Sequence, residues 1–151
     1  MQTTHPRTGR TAEPVRRTIR DFMTALPHTI GRKQSLASAQ ETMRLKGLRH
    51  LPVLDGGRLA GVLSQRDAYF VETIAGVDPE RVPVEEAMSV DVYSVAPDTP
   101  LLDVAAEMAD HKYGCAIVTQ GTHVVGIFTV VDALRALVAI IASSETKPTK
   151  P

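Results

Sequence analysis

Residues 51–67 read Leu51-Pro52-Val53-Leu54-Asp55-Gly56-Gly57-Arg58-Leu59-Ala60-Gly61-Val62-Leu63-Ser64-Gln65-Arg66-Asp67, a short apolar run, a tight turn, a second apolar run, then Ser and Asp. The pattern returns as Ala116-Ile117-Val118-Thr119-Gln120-Gly121-Thr122-His123-Val124-Val125-Gly126-Ile127-Phe128-Thr129-Val130-Val131-Asp132. Each stretch is strand, turn, strand, and then Gly-x-x-[Ser/Thr]-x-x-Asp opening a helix. Such self-similarity fixes the architecture in which every other residue sits. Sliding the chain on itself by 65 positions, without a gap, sets Met23 on Met88, Leu36 on Leu101, Met43 on Met108, Gly61 on Gly126 and Asp67 on Asp132. Two copies related in this way predict a pseudo-symmetric pair.

Working outward from the first copy, Asp55-Gly56-Gly57 is a strong turn signal, so His50 to Leu54 and Arg58 to Ser64 are predicted to form a hairpin. Ahead of it, Ser35 caps a predicted helix in which Leu36, Ala39, Met43 and Leu45 face inward and which Gly47 ends. Pro14 to Leu26, with Val15, Ile19, Phe22, Met23 and Leu26 at helical spacing, reads as an amphipathic helix, and His28 to Ile30 as a brief strand. A helix from Arg66 to Ala75, stopped by Gly76, closes the unit.

The second copy repeats the plan. Val84 to Met88 is predicted as a short helix, Val92 to Val95 as a strand, and a helix starts with Pro100 at its first position behind Thr99. Cys115 to Thr119 and His123 to Thr129 make the second hairpin. The last helix, Asp132 to Ala142, is apolar nearly all round and must lie in a core or against a partner. The expected organisation is a flexible arm over 1–13, a first unit over 14–76, a linker over 77–83, a second unit over 84–142 and a flexible tail over 143–151.

Composition excludes several classes of function. The chain has 151 residues, 43% of them hydrophobic, enough for a core without metal or disulfide staples. Its 17 acidic and 17 basic residues cancel, so no global field draws it to nucleic acid or anionic lipid. A single cysteine, Cys115, fits a reducing compartment. The beginning of the chain lacks the apolar stretch of a secretory signal, and Ala136 to Ala142 is too short to span a bilayer, so the cytoplasm is expected. His5, His28, His50, His111 and His123 show no metal-ligand spacing, and no phosphate-cradling glycine loop is present. Cys115 reads as a buried structural thiol and no catalytic set emerges, so no enzymatic activity is expected. Arg7, Arg10, Arg16, Arg17 and Arg20 stand against Glu13 alone in the first 20 residues, either a solvated stretch or a phosphate-seeking arm of a nucleic-acid accessory protein.

The β-α-β-β-α unit, with its Leu-Pro-Val strand and its Gly-x-x-[Ser/Thr]-x-x-Asp ending, resembles the CBS domain, named for cystathionine β-synthase. Two in tandem resemble a Bateman module, over residues 14–142. The second copy departs from the pattern, with Ala116-Ile117-Val118 in place of Leu51-Pro52-Val53. The resemblance implies an α+β fold, a disc-like homodimer, and a regulatory module that takes adenosine-containing ligands (AMP, ADP, ATP or S-adenosylmethionine) in clefts between the copies and signals to an effector protein. No cofactor is implied beyond such a regulatory ligand. Carried over by position, Ser64, Arg66 and Asp67 face Ser94, Gly114 and Cys115 in one cleft, and Thr129 and Asp132 face Thr29, Arg49 and His50 in the other.

The residues suit that chemistry. A carboxylate one turn into a helix can accept both hydroxyls of a ribose, and a Ser or Thr hydroxyl with free backbone N–H groups makes an anion site. Arg66 adds a fixed positive charge beside Asp67, whereas Val130 and Val131 add none beside Asp132. The first cleft is therefore expected to prefer phosphorylated ligands. Ser-x-x-Asp and Thr-x-x-Asp are equally capping-box patterns, in which the same groups satisfy the helix itself and bind nothing. The sequence leaves both readings open, and with them a constitutive dimerisation or scaffold module with empty clefts.

Overall fold

The computed structural model describes residues 16–146. Their elements run β1 (Thr24–Ala25), β2 (Ile30–Gly31), α1 (Leu36–Lys46), β3 (His50–Asp55), β4 (Arg58–Ser64), α2 (Gln65–Glu72), β5 (Ser94–Val95), α3 (Leu101–His111), β6 (Cys115–Gln120), β7 (His123–Thr129) and α4 (Val130–Glu145), with 3-10 turns at Ile19–Asp21 and Val84–Glu86. The predicted β-α-β-β-α unit is present twice, as β2-α1-β3-β4-α2 and β5-α3-β6-β7-α4. The strands form two sheets, ordered β2-β3-β4 and β1-β7-β6-β5. Parallel pairing sets Ile30 on Val53 in one and Val95 on Val118 in the other, the same register 65 residues on.

Local signals account for the elements. Ser35 accepts the Ser38 N–H, and Gly47 ends α1 with φ 64°. Leu36, Ala39 and Met43 are buried on one stripe of α1, but Leu45 is 64% exposed, against expectation. It lies two residues beyond Met43, about 200° round the helix and so on its outer face. α3 begins one residue later than expected, with Pro100 itself as the N-cap. α2 ends at Glu72, ahead of Ala75. The strand expected over Val92 to Val95 is cut to Ser94–Val95, because Val92 turns instead to the cluster between the sheets. α4 continues through Ser143 and Ser144, whose hydroxyls bond back to the Ile140 and Ile141 carbonyls at 2.8 Å. Part of the segment expected as tail is therefore helix.

The largest departure is at Pro14 to Leu26. Pro14 and Val15 lie outside the described residues; from Thr18 on there is no α-helix but a 3-10 turn followed by β1. The spacing of Ile19, Phe22 and Met23 imitates a helical stripe, but the backbone spends its donors elsewhere: Ile19 N–H on the Thr99 carbonyl and Arg20 N–H on Pro97, each at 3.0 Å. Thr24 and Ala25 then pair with Ile127 and Gly126 of β7.

The leading segment of the first copy thus serves the second unit. Ile19 is wholly buried with Val104, Met108, Ala116, Val118 and Phe128, and Phe22 and Met23 pack on them. The exchange is mutual. Val84 is wholly buried with Leu36, Met43, Leu51, Val53, Leu63 and Ala68, with Ala87 and Met88 alongside. Ser89 and Val62 exchange two backbone hydrogen bonds of 2.9 Å at the edge of β4. Each crossing passes over the glycine of the repeated motif. A Cβ on Gly61 would lie 2.7 Å from the Ser89 carbonyl oxygen and 2.8 Å from Met88 Sδ; one on Gly126 would lie 2.5 Å from Met23 Sδ. A third cluster, Cys115, Ile117 and Ile127 with Leu59, Val62, Val92 and Val124, joins the two sheets. Glu85 adds polar clamps, its carboxylate 2.6 Å from Lys33 Nζ and 3.4 Å from Arg32. None of the described helices is long and apolar enough to cross a membrane.

Candidate functional site

The two motifs place Ser64 and Thr129 as the N-caps of α2 and α4 and Asp67 and Asp132 three residues on. Both hydroxyls cap their helix: Ser64 Oγ accepts the Asp67 N–H at 3.0 Å and Thr129 Oγ1 the Asp132 N–H at 3.3 Å. The two carboxylates then diverge. Asp132 completes a capping box, accepting from Thr129 N–H at 2.9 Å and from the Thr129 hydroxyl at 3.1 Å on one oxygen. Its other oxygen accepts the Thr24 hydroxyl at 3.1 Å, and Arg135 of its own helix lies 3.8 Å away. Asp132 is only 5% exposed. The Asp67 carboxylate, half-buried, accepts no hydrogen bond among the described residues.

The structure therefore divides the two readings of the motif. At Asp132 the carboxylate serves the helix and the β1 segment. At Asp67 the hydroxyl caps, but the carboxylate is left over beside an open groove of about 550 Å³ lined by Arg66, Asp67, Tyr69, Phe70 and Thr73. A larger groove of about 740 Å³ lies between α1 and α2, where Glu41, Glu72 and Glu80 are spread around its rim. It gathers none of the motif residues.

His50 was expected with Asp132. It sits opposite Ser64 in the β3–β4 ladder, and its imidazole lies over Gly114, where a Cβ would come 2.7 Å from Nε2. Burial, with the Arg49 charge beside it, pushes the imidazole below its ordinary pKa, and the Asp67 charge pulls less strongly the other way. The register sets the first residue of β3 beside the last residue of β4, which caps α2 of the same copy. Arg49 likewise stands at α2, its carbonyl accepting the Gln65 N–H at 2.8 Å. It makes no ion pair with Asp132 among the described residues, where the nearby cation is Arg135. Gly114 is the counterpart of Arg49, and its carbonyl accepts the Val130 N–H at 3.2 Å.

Cys115 is buried with Ile117 and Ile127, and burial pushes its thiol up to about 11, so it offers no nucleophile and lines no open groove. Ser94 and Thr29 are exposed, Ser94 at the first position of β5 and Thr29 just ahead of β2, and neither donates a hydrogen bond to Asp67 or Asp132. Arg66 is exposed on the Asp67 groove. The residue that sequence reasoning missed is Thr24. A signal existed, because the 65-residue offset sets Met23-Thr24 on Met88-Ser89 and so repeats a hydroxyl.

Two β-α-β-β-α units, joined through β4 and β7 and each ending in an Asp-bearing helix start, define a tandem module of paired units. The chain belongs to the CBS domain family, which matches residues 19–71 and 84–139. It is similar to the CBS domain-containing protein YhcV of Bacillus subtilis, 30% identical over 114 residues that cover 76% of this chain and 81% of that one. Among solved structures it resembles a Vibrio cholerae protein provisionally assigned to acetoin utilization, with a TM-score of 0.80, 32% identity, and 89% and 100% of the two chains covered. It also resembles CBSX2, solved in complex with AMP, with a TM-score of 0.73, 26% identity, and 82% and 98% covered.

Proposed function

We propose that the protein is a regulatory module that binds an adenosine-containing ligand (AMP, ADP, ATP or S-adenosylmethionine) and signals to an effector protein by a change of shape, without catalysis. The observation that carries this reading is the Asp67 carboxylate, which has no hydrogen-bond partner among the described residues and lies beside Arg66 and an open groove. A ribose offers two hydroxyl donors to such a carboxylate, and a guanidinium next to it suits a phosphate. The AMP complex of the related CBSX2 supports the ligand class. The Asp67 side is the primary site; a ligand at Asp132 would have to displace the Thr24 hydroxyl first.

The test is calorimetry with AMP and with adenosine on Asp67→Asn and Asp132→Asn. Asp67→Asn should abolish the stronger binding, losing about 1.5–3 kcal/mol for a charged hydrogen-bond partner. Retention of full AMP affinity in that variant would leave a scaffold with empty clefts as the better reading.

The working form we propose is a homodimer in the cytoplasm. Phe70 on α2, Ile74 just beyond its end, and Leu134, Leu137, Val138 and Ile141 on α4 are between 46% and 69% exposed, an apolar face larger than scattered surface residues account for. A two-fold pairing through α2 and α4 covers it. Sedimentation at micromolar concentration should give a dimer, and Leu137→Asp a monomer; a monomeric parent protein refutes the assembly.

A further inference from the structure

The two leading segments, residues 17–24 and 82–89, dock through the same backbone contacts 65 positions apart. Ile19 N–H reaches the Thr99 carbonyl at 3.0 Å and Val84 N–H the Gln34 carbonyl at 2.8 Å; Arg20 N–H reaches Pro97 and Glu85 N–H reaches Arg32, both at 3.0 Å. The Leu101 and Leu36 N–H groups close on the Arg17 and Val82 carbonyls in the same way, and Thr24 faces Ile127 as Ser89 faces Val62. The chain from Thr24 to Ile30 is also as long as the chain from Ser89 to Val95. Backbone pairing and connector length therefore suit either unit equally, which leaves the choice between them to side chains.

The charged side chains distinguish the two dockings. Arg20 lies 3.3 Å from Asp98, whereas its equivalent Glu85 lies 2.6 Å from Lys33, the equivalent of Asp98, and 3.4 Å from Arg32. The same clamp occurs twice with its polarity reversed. An uncrossed chain would set Arg20 against Arg32 and Lys33, and Glu85 against Asp98, so each segment is attracted by the unit it joins and repelled by the unit it leaves. We propose that Arg20 and Glu85 are the residues that direct the leading segments across the pair, through charges opposite to those of the receiving unit. The choice bears on the motif carboxylates as well. Thr24 arrives at Asp132 with the first segment, and by the same offset an uncrossed chain would bring it to Asp67 instead.

Disulfide competition in the full chain reads the ratio of crossed to uncrossed docking. Thr24→Cys, Ile127→Cys and Val62→Cys are combined with Cys115→Ala, which removes the native thiol from the cluster that holds Ile127. In a glutathione buffer the thiol at position 24 then pairs with that at 127 when crossed and with that at 62 when uncrossed, and mass spectrometry gives the ratio of the two disulfides. Adding Arg20→Glu with Glu85→Arg turns three attractions into repulsions. Exposed ion pairs contribute little one at a time, so the 127-to-62 ratio should fall by about tenfold or more rather than reach zero. The neutral pair Arg20→Gln with Glu85→Gln should give a smaller fall, and it carries the test alone if the exchanged protein does not fold. At about 1 M salt, where the screening length is about 3 Å, both falls should shrink. A ratio unmoved by the charge changes overturns the proposal. So does a fall of the same size at low and high salt, because the difference in bulk between Phe22 and its equivalent Ala87 would then direct the segments.

Discussion

Replacing Asp132 and Asp67 by alanine, one at a time, separates the two carboxylates by stability before any ligand is added. Asp132 is 5% exposed and accepts three hydrogen bonds of 2.9 to 3.1 Å, from the Thr129 N–H, the Thr129 hydroxyl and the Thr24 hydroxyl. The two hydroxyls can turn to water when the acceptor goes, but the Thr129 N–H belongs to a part-buried helix start and loses its only side-chain partner. One charged hydrogen bond contributes about 1.5–3 kcal/mol, and loosening the cap adds about 1 kcal/mol, so Asp132→Ala should cost roughly 2.5–4 kcal/mol. For a chain of this size that is a fall of about 5–15 °C in melting temperature. Asp67→Ala removes a carboxylate with no internal acceptor role and should stay within about 0.5 kcal/mol. Differential scanning calorimetry of the two variants and the parent reads both numbers. Equal losses, or a larger loss for Asp67→Ala, would refute the assignment of one carboxylate to the fold and the other to a ligand.

Gly61→Ala should cost about 1–3 kcal/mol and lower the urea midpoint more than Gly126→Ala does, because its Cβ meets the fixed Ser89 carbonyl at 2.7 Å, whereas at Gly126 the nearest atom is the movable Met23 sulfur. Lys112 holds φ 58° at the end of α3 where the first copy has Gly47 at 64°, so Lys112→Gly should stabilise the protein by about 1 kcal/mol, read from the same urea curves. Because His50 titrates below its ordinary value of 6.5 when folded, the unfolded chain binds the extra proton first. Its contribution to stability is present above pH 6.5 and lost as pH falls towards the folded value, and His50→Asn should remove that acid-side slope in denaturation curves. The Cys115 thiol, at about 11 in the fold against an ordinary 9.0, should resist alkylation at pH 8 until urea unfolds the protein.

The repeated stretches were legible because their signals are local. Two Gly-containing turns fix two hairpins, and a 65-residue offset without gaps fixes their equivalence, so the units and both cap-and-carboxylate motifs could be placed from residues alone. What stayed hidden depends on contacts distant in the chain. Ile19, Phe22 and Met23 carry a helical spacing whose meaning is set by Thr99, Pro97 and β7, some 75 to 105 residues away. The fates of the Asp67 and Asp132 carboxylates also differ for a non-local reason, since the Thr24 hydroxyl donates to Asp132 and, among the described residues, no hydroxyl donates to Asp67. Nor does any pattern in Arg49-His50 announce that the ring lies over Gly114 of the other copy.

The crossed leading segments also order the events of synthesis. Leu36, Leu51 and Leu63 emerge from the ribosome early, yet the core they share with Val84 cannot close until that valine has cleared the exit tunnel. Ile19, among the first apolar residues made, must wait for Phe128, one of the last. At elongation rates of about 5–20 residues per second, the first hairpin therefore spends on the order of seconds with its hydrophobic face open. A nascent chain halted after Gly76 holds a complete copy of the repeat but lacks Val84, Ala87 and Met88, and the chaperones that attend unfinished chains should find their binding surface there.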